Sequence, residues 1–397
     1  MLSWMFSEDP KNTGMERASQ IFQEQYPQVR IEILHVPSAY EDKLRAMLAG
    51  GQAPDVARLN DDYVAHYACR NLVQPLNDFL IRDKVRREEF FDAEWKACDW
   101  EGKTWALAIG FTPQVMWVNV SLFQRVGLPV PTVPYISMLW TWDDYLAAAK
   151  RLTLDIDGDG QVDVWGTSIL HSGSAYLYFP MGNGADVLTP DLKRFGYTEP
   201  RAYGALQWIA DLIHVHKVHP PIEIFRQVSG LDLFQQGKVA ILGSAGRAAL
   251  FRQNITSFEW DIVPIARGLV RRGHTSTPLL FMLPRDGRQH DTAWAFLYWL
   301  TSNPAQESIA QKGDRMPPRK AQAASSLFLD PALLPRNQRL WLDANEGASW
   351  EPKHPQREKI RAIYRPALQP IWTGEKTARQ AMEEVAPAVN AVIAEPC

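Results

Sequence analysis

Residues 101–153 read EGKTWALAIGFTPQVMWVNVSLFQRVGLPVPTVPYISMLWTWDDYLAAAKRLT. A turn at Glu101-Gly102 precedes a short apolar strand, Thr104 to Ile109. The polar break Thr112-Pro113-Gln114 separates it from a second strand, Val115 to Asn119. A helical piece follows and stops at Gly127-Leu128-Pro129. Trp142-Asp143-Asp144-Tyr145 then opens a helix with acids in its first turn, where the helix dipole favours them.

Upstream, residues 2–6 read as a buried strand and Met15 to Tyr26 as an amphipathic helix, with Met15, Ala18, Ile21, Phe22 and Tyr26 on one face and Pro27 as its stop. Val29 to Val36 alternates as a second strand. Tyr40 to Leu48 is a helix ended by Gly50-Gly51, and Val56 starts a third strand. This βαβαβ order predicts parallel strands flanked by helices. Downstream, Tyr203 to Val215 reads as a helix. Residues 229–241 read as helix, glycine cap and buried strand, and Trp260 to Pro264 as a strand that returns the chain to the first body. Thr292 to Leu300 is helical, and the tail from Ile360 to Ile393 is helical with a break at Thr373-Gly374.

The 397 residues suffice for two or three domains, and 46% hydrophobic with 22% charged residues is a globular balance. A net charge of −3 leaves no footprint for nucleic acid. No apolar run reaches the roughly 18 residues of a membrane span. Leu2 to Phe6 leads straight into Ser7-Glu8-Asp9-Pro10, without the profile of a signal peptide. Cys69, Cys98 and Cys397 fit no metal spacing. Cys69 and Cys98 are either partners in one disulfide or two small buried residues, and Cys397 is expected to be exposed.

The sequence holds no phosphate-binding glycine loop, no G-x-S-x-G elbow and no H-E-x-x-H helix, which lowers the expectation of an enzyme. Asp155, Asp157, Asp159 and Asp163, with Gly160 at the sixth place, match the first nine positions of a calcium loop. Gly166 stands where the bidentate Glu belongs, so the stretch is either a weak structural Ca²⁺ site or a solvated acidic hairpin. His214, His216 and His219 do not share a helix face and read as ordinary residues near a helix end.

The segments FQEQYPQVRIEI and YEDKLRAMLAGGQAPDV, the run from Glu101 to Thr153, and the stretch ending GKVAI before Gly243-Ser244 closely resemble the extracellular solute-binding proteins of bacterial ABC importers, the large family that includes maltose-binding proteins. The resemblance covers nearly the whole chain and is weakest over Val130 to Leu139 and Leu327 to Pro355. It implies an α/β, two-lobed periplasmic-binding-protein fold, each lobe a mostly parallel sheet flanked by helices, with three hinge crossings. The crossings fall at 109–115, after Trp260, and at Lys312 to Arg319. They divide the chain into a first lobe of 1–111 and 266–313 and a second of 112–265 and 314–397.

The implied activity is capture, not catalysis: a carbohydrate or polyol is bound between the lobes by hinge closure and passed to membrane permease subunits. No cofactor is required. The expected setting is the periplasm, or the cell exterior on a lipid anchor, for a monomer whose chain starts near its mature end; a cytoplasmic protein is the other reading. The alternatives in function are an anionic non-sugar such as glycerol phosphate, a peptide, a carbohydrate-active enzyme using two acids, and a chemotaxis adaptor.

The chain is rich in aromatics, with 15 Trp, 12 Tyr and 16 Phe. Pyranose rings pack on such faces, while their hydroxyls need polar partners. Predicted strand ends and turns supply both, which nominates Ser7, Glu8, Tyr40, Asn60, Asp61, Asp62, Phe111, Thr112, Gln114, Ser174, Tyr176, Ser244, Arg247 and Trp350. Family members often carry Trp just after the Gly243-Ser244 turn. Here Ala245-Gly246-Arg247 follows, which argues against a long maltodextrin and leaves Arg247 either as an anion partner or as a helix cap or surface ion-pair partner.

Overall fold

The computed structural model describes residues 1–170, 175–225, 227–243, 248–273, 275–310 and 315–397. Strand β1 is Leu2–Phe6, β2 Ile31–His35, β3 Val56–Leu59, β4 Asp99–Trp100, β5 Lys103–Thr104, β6 Leu107–Pro113, β7 Met116–Asn119, β8 Trp165–Ser168, β9 Val239–Gly243, β10 Trp260–Val263 and β11 Ser276–Met282.

The first lobe is built on a five-stranded sheet of order β2-β1-β3-β11-β6. The β2-β1-β3 part is parallel, as its βαβαβ order requires. The β3-β11 and β11-β6 pairs are antiparallel. Strand β1 is apolar at nearly every position because helices cover both its faces. On one face Met15, Ala18 and Phe22 of the helix Met15–Gln25 pack with Trp4, Trp294 and Phe296. On the other, Tyr40, Leu44 and Leu48 of Tyr40–Ala49 meet Met5 and Ala57.

The second lobe has a four-stranded sheet of order β10-β7-β9-β8, in which only β8-β9 is parallel. Thr141 and Asp144 form a reciprocal capping box at the start of Trp142–Arg151, so the acidic first turn read from the sequence has a defined partner. The helix Gly230–Gln235 ends before Gly237, whose φ of 73° is the left-handed cap that lets β9 follow at once. Helices Ala175–Gly182, Pro200–His214, Arg357–Tyr364 and Ala378–Ile393 enclose this lobe's larger core. Trp117, Phe251 and Trp260 pack on the opposite face of the sheet.

The chain passes between the sheets at Gln114-Val115, joining β6 to β7, and again between β10 and β11. The two passages run side by side: Ser276 pairs with Pro113, Thr277 with Thr112, and Gln114 N–H donates to Thr275 O at 3.1 Å. The expected return on Trp260 to Pro264 is corrected, since β10 stays in the second sheet against β7, and β11 makes the return. Arg272 holds the residues before it to the second lobe, donating to the carbonyls of Tyr135, Ser137, Leu139, Trp140 and Ile265 at 2.6–3.2 Å. Those contacts also fix the proline-rich loop that matched the family least. Part of the third expected passage, Lys312 to Asp314, lies outside the described residues. Just beyond it, Met316 exchanges backbone hydrogen bonds with Phe111. Gly110 faces this close approach, where a Cβ would stand 3.1 Å from that of Arg315.

The disulfide expectation is also corrected. Cys69 bonds Cys397, 328 residues away, and Cys98 is a buried free thiol. Cys98 is held in the first lobe on Asp92–Cys98, while the C-terminal segment brings Cys397 to the end of Val64–Cys69.

Candidate functional site

Strand β3 ends in Leu59, and the chain turns at once into Asp61–Tyr63, placing Asn60, Asp61 and Asp62 at the carboxyl end of the sheet. The helix Arg357–Tyr364 of the second lobe faces this turn with Arg357 and Arg361. The paired passages supply Gln114, Thr275, Ser276 and Thr277. Together with Leu177, Trp350 and Glu351 these residues line a cavity of about 350 Å³ between the lobes.

The cavity's charges are mostly matched. Asp62 Oδ2 lies 3.2 Å from Arg357 and also contacts Arg361, so one carboxylate of the first lobe meets two guanidiniums of the second. Glu351 takes Arg357 on two nitrogens, one of them Nε at 3.0 Å. Burial pushes the Glu351 carboxyl up, to about 8, and the Arg357 guanidinium down, to about 10. Glu8 sits beside Arg58 at 2.7 Å and Arg315 at 3.4 Å. Asp61 differs: among the described residues its carboxylate has no hydrogen bond or ion pair, although it lines the cavity.

Two buried polar atoms at the passages lack partners among the described residues. They are Gln114 Oε1 and Ser276 Oγ, on residues only 6% and 4% exposed. Buried polar atoms are nearly always hydrogen-bonded, so these favour a polar guest over an apolar one. The Trp350 indole donates to Ala93 O at 2.7 Å, which fixes its ring at the cavity edge with Phe111 behind it at 6.4 Å.

Of the nominated residues, Asn60, Asp61, Asp62, Gln114 and Trp350 therefore line one cavity. Ser7 contacts Glu8 at 3.3 Å, beside the Arg58 pair. Thr112 is held in the β6-β11 pairing. Tyr40 is corrected as a ligand contact: it is buried, and its hydroxyl bonds Met5 O and Arg58 O, so it belongs to the first-lobe core. Phe111 is corrected likewise, being 0% exposed. Tyr176 lines a neighbouring hollow of about 360 Å³ with Phe225, Arg365 and Trp372. Ser174, Ser244 and Arg247 lie outside the described residues.

Sequence reasoning missed Glu351, Arg357, Arg361 and the β11 residues Ser276 and Thr277. The spacing of Arg357 and Arg361 on one helix face was the available signal.

A larger hollow, about 660 Å³, lies elsewhere on the second lobe, between Trp165, Ile213, His214 and Ile222. It has no residue in common with the interlobe cavity. Nearby, the carboxylates of Asp155, Asp157 and Asp159 have oxygens within 4.8 Å of one another and are exposed. Asp155 accepts from the Gly158 and Gly160 amides, and Asp163 accepts from Ile156, so the loop is closed by its own backbone. The histidines do not converge: His214 bonds Trp372 O, while His219 is buried and stacked on Phe225.

The family model described as bacterial extracellular solute-binding protein matches residues 8–307. The chain belongs to this family. A putative binding protein of Brucella abortus is 22% identical to this solute-binding protein over 388 residues, covering 95% of this chain and 89% of that one. An ABC substrate-binding protein of Listeria monocytogenes, solved with cycloalternan, superposes with a TM-score of 0.86 at 22% identity, covering 100% and 99% of the two chains. Maltose-bound MalE3 of T. maritima gives 0.80 at 19% identity over 98% and 99%. UgpB of Mycobacterium tuberculosis, solved with glycerophosphocholine, gives 0.80 at 16% over 99% and 98%. At these identities the superpositions establish the fold: two sheet-bearing lobes of the periplasmic-binding-protein kind.

Proposed function

We propose that this solute-binding protein is the capture component of an ABC importer for a neutral carbohydrate or polyol. The ligand enters the cleft between Asp61-Asp62 and Arg357-Arg361, closes the lobes about the paired passages, and is presented to membrane permease subunits outside the cytoplasm. Ligand bonded to both lobes shifts the population toward the closed form. Asp61, Asn60, Gln114 and Ser276 accept or donate to hydroxyls, and Trp350 offers a ring face. No covalent step and no cofactor enters this reading. A cation at the Asp155–Asp163 loop would involve none of the residues that line the cleft.

The observation that carries the choice of a neutral guest is the pairing of charge. Arg357 and Arg361 both meet the Asp62 carboxylate, the Glu351 carboxyl also holds Arg357, and Glu8 meets Arg58. Among the described residues the cavity carboxylate without an ion pair is Asp61, which repels a phosphate and accepts from hydroxyls. The competing reading, an anionic polyol such as glycerol phosphate, is favoured by the glycerophosphocholine complex of UgpB. Isothermal titration against monosaccharides, oligosaccharides, polyols, glycerol 3-phosphate and glycerophosphocholine separates the two. Saturable heat with a sugar or uncharged polyol is expected; heat with the phosphate-bearing members alone, or with none, overturns the proposal.

A further inference from the structure

Cys69 is the last residue of Val64–Cys69, directly behind the turn that forms the first-lobe wall of the cleft. Cys397 lies four residues beyond the end of Ala378–Ile393, a helix that packs on Pro200–His214 and Arg357–Tyr364 of the second lobe. Their bond, with Cα atoms 6.0 Å apart, therefore joins the lobes at a place separate from the passages between the sheets. First lobe, passages, second lobe and tail close into a covalent ring around the cavity.

Beside the bond the described contacts are weaker, the Asp62 pairs and the Lys353 bonds to the Lys96, Ala97 and Asp99 carbonyls lying farther along the wall. His66 Nδ1 lies 3.2 Å from Pro355 O, and Arg70 reaches Gln356 at 3.5 Å. Farther along the wall Arg45 meets Glu358, with side chains 37% and 40% exposed. An exposed pair of this kind contributes at most about 1 kcal/mol and separates readily. The disulfide does not separate. Its slack is residues 394–397, which reach at most about 14 Å when fully extended.

We infer that the Cys69–Cys397 bond is a strap that limits how far the lobes part. With the bond intact, the ligand-free protein is held near the closed form. Cutting it widens the opening and weakens retention, because apparent affinity falls with the fraction of molecules in the binding-competent form. The inference rests on the hinge motion proposed above and not on the class of ligand. Cutting is ordinary thiol exchange. A dithiothreitol thiolate attacks one sulfur, the S–S bond breaks, and the second thiol of the reagent resolves the mixed disulfide. Two electrons pass to the protein, Cys69 and Cys397 leave as thiols, and the reagent leaves as its cyclic disulfide. Cys397 is exposed and open to attack.

The test is small-angle X-ray scattering of the ligand-free full chain, before and after dithiothreitol, alongside the variant Cys69→Ser/Cys397→Ser. Thiol titration in denaturant should count one thiol before reduction and three after it. The reduced protein and the variant should both shift to a larger radius of gyration with unchanged far-ultraviolet circular dichroism. Reduction of the wild type serves alone if the variant does not fold. Superimposable curves despite three titrated thiols overturn the inference, as do three thiols before reduction. Loss of the dichroism signal on reduction also overturns it, because the bond is then only a fold stabiliser. Scattering with the panel's binding sugar separates this from the hinge reading. Compaction of equal size with and without the bond sinks the strap alone, whereas no compaction in either form sinks the hinge motion.

Discussion

Replacing Arg357 by Met keeps a side chain about as long as arginine's apolar stem and removes the charged head. Arg357 and Glu351 have side chains only 8% and 6% exposed, so the deletion strands a carboxylate away from water. Breaking one half of such a pair costs roughly 3–5 kcal/mol. Glu351 has a partial escape, since it can take up a proton; burial already pushes its carboxyl up to about 8, and loss of the guanidinium pushes it further. A raised carboxyl contributes stability that is fully present below about pH 4.5 and is lost as pH rises through its folded value, at about 1.4 kcal/mol per pH unit. The wild-type carboxyl follows the same slope up to about pH 8, so the penalty of Arg357→Met should change little between pH 5 and pH 8 and grow by up to about 1.4 kcal/mol per pH unit above that. Adding Glu351→Gln replaces the stranded charge by a neutral amide and should recover about 2 kcal/mol at pH 8 and little at pH 5. Urea unfolding at pH 5, 8 and 9.5, followed by dichroism and tryptophan fluorescence, measures this. A penalty no larger at pH 9.5 than at pH 8, or a double variant no more stable at pH 8 than the single one, would refute the reasoning.

Three further outcomes are expected. Asp61→Asn and Gln114→Ala should each weaken binding of the panel's carbohydrate by about 10-fold or more, the effect of one lost polar contact, while unfolding midpoints stay within a degree or two; unchanged affinity in both removes them from the site. Glu94 is 2% exposed, has no partner among the described residues for either carboxyl oxygen, and has its pKa raised by burial beside Phe90, Trp95 and Leu107. Because its contribution fades as pH rises, Glu94→Met should stabilise the protein by about 1 kcal/mol or more at pH 8 and by less at pH 5, and destabilisation at pH 8 would contradict this. Thr141→Ala should cost about 1 kcal/mol through loss of the capping box, measured as a lower urea midpoint at unchanged slope.

The parts of the fold that read plainly from the sequence are those written in local chemistry. The Thr141-Asp144 start, the Gly237 cap and the passage near Gln114 each need only a few neighbouring residues to be recognised. The first wall of the cleft was legible for the same reason, since Asn60, Asp61 and Asp62 follow directly on an apolar strand. The opposite wall was not. Asp62 meets Arg361 across 299 positions, and the one local sign, Arg357 four residues earlier on the same helix face, does not say what the pair faces. Tyr40 and Phe111 were misplaced because the sequence does not say which way an aromatic faces, and both Tyr40, first in its helix, and Phe111, within β6, turn into the core. The disulfide partner of Cys69 was hidden by a sequence separation of 328, whereas Cys98 was close in the chain and not its partner.

The pairing of Thr112-Pro113-Gln114 with Thr275-Ser276-Thr277 makes the central connection a two-stranded ribbon instead of two loose threads. Such a ribbon behaves as a leaf spring: it flexes across its flat face and resists sliding of one strand past the other, which would break the ladder. Relative travel of the halves is thereby channelled toward a single swinging coordinate. Gln114 and Ser276 lie on the spring itself, so a guest that touches them grips the part that must bend.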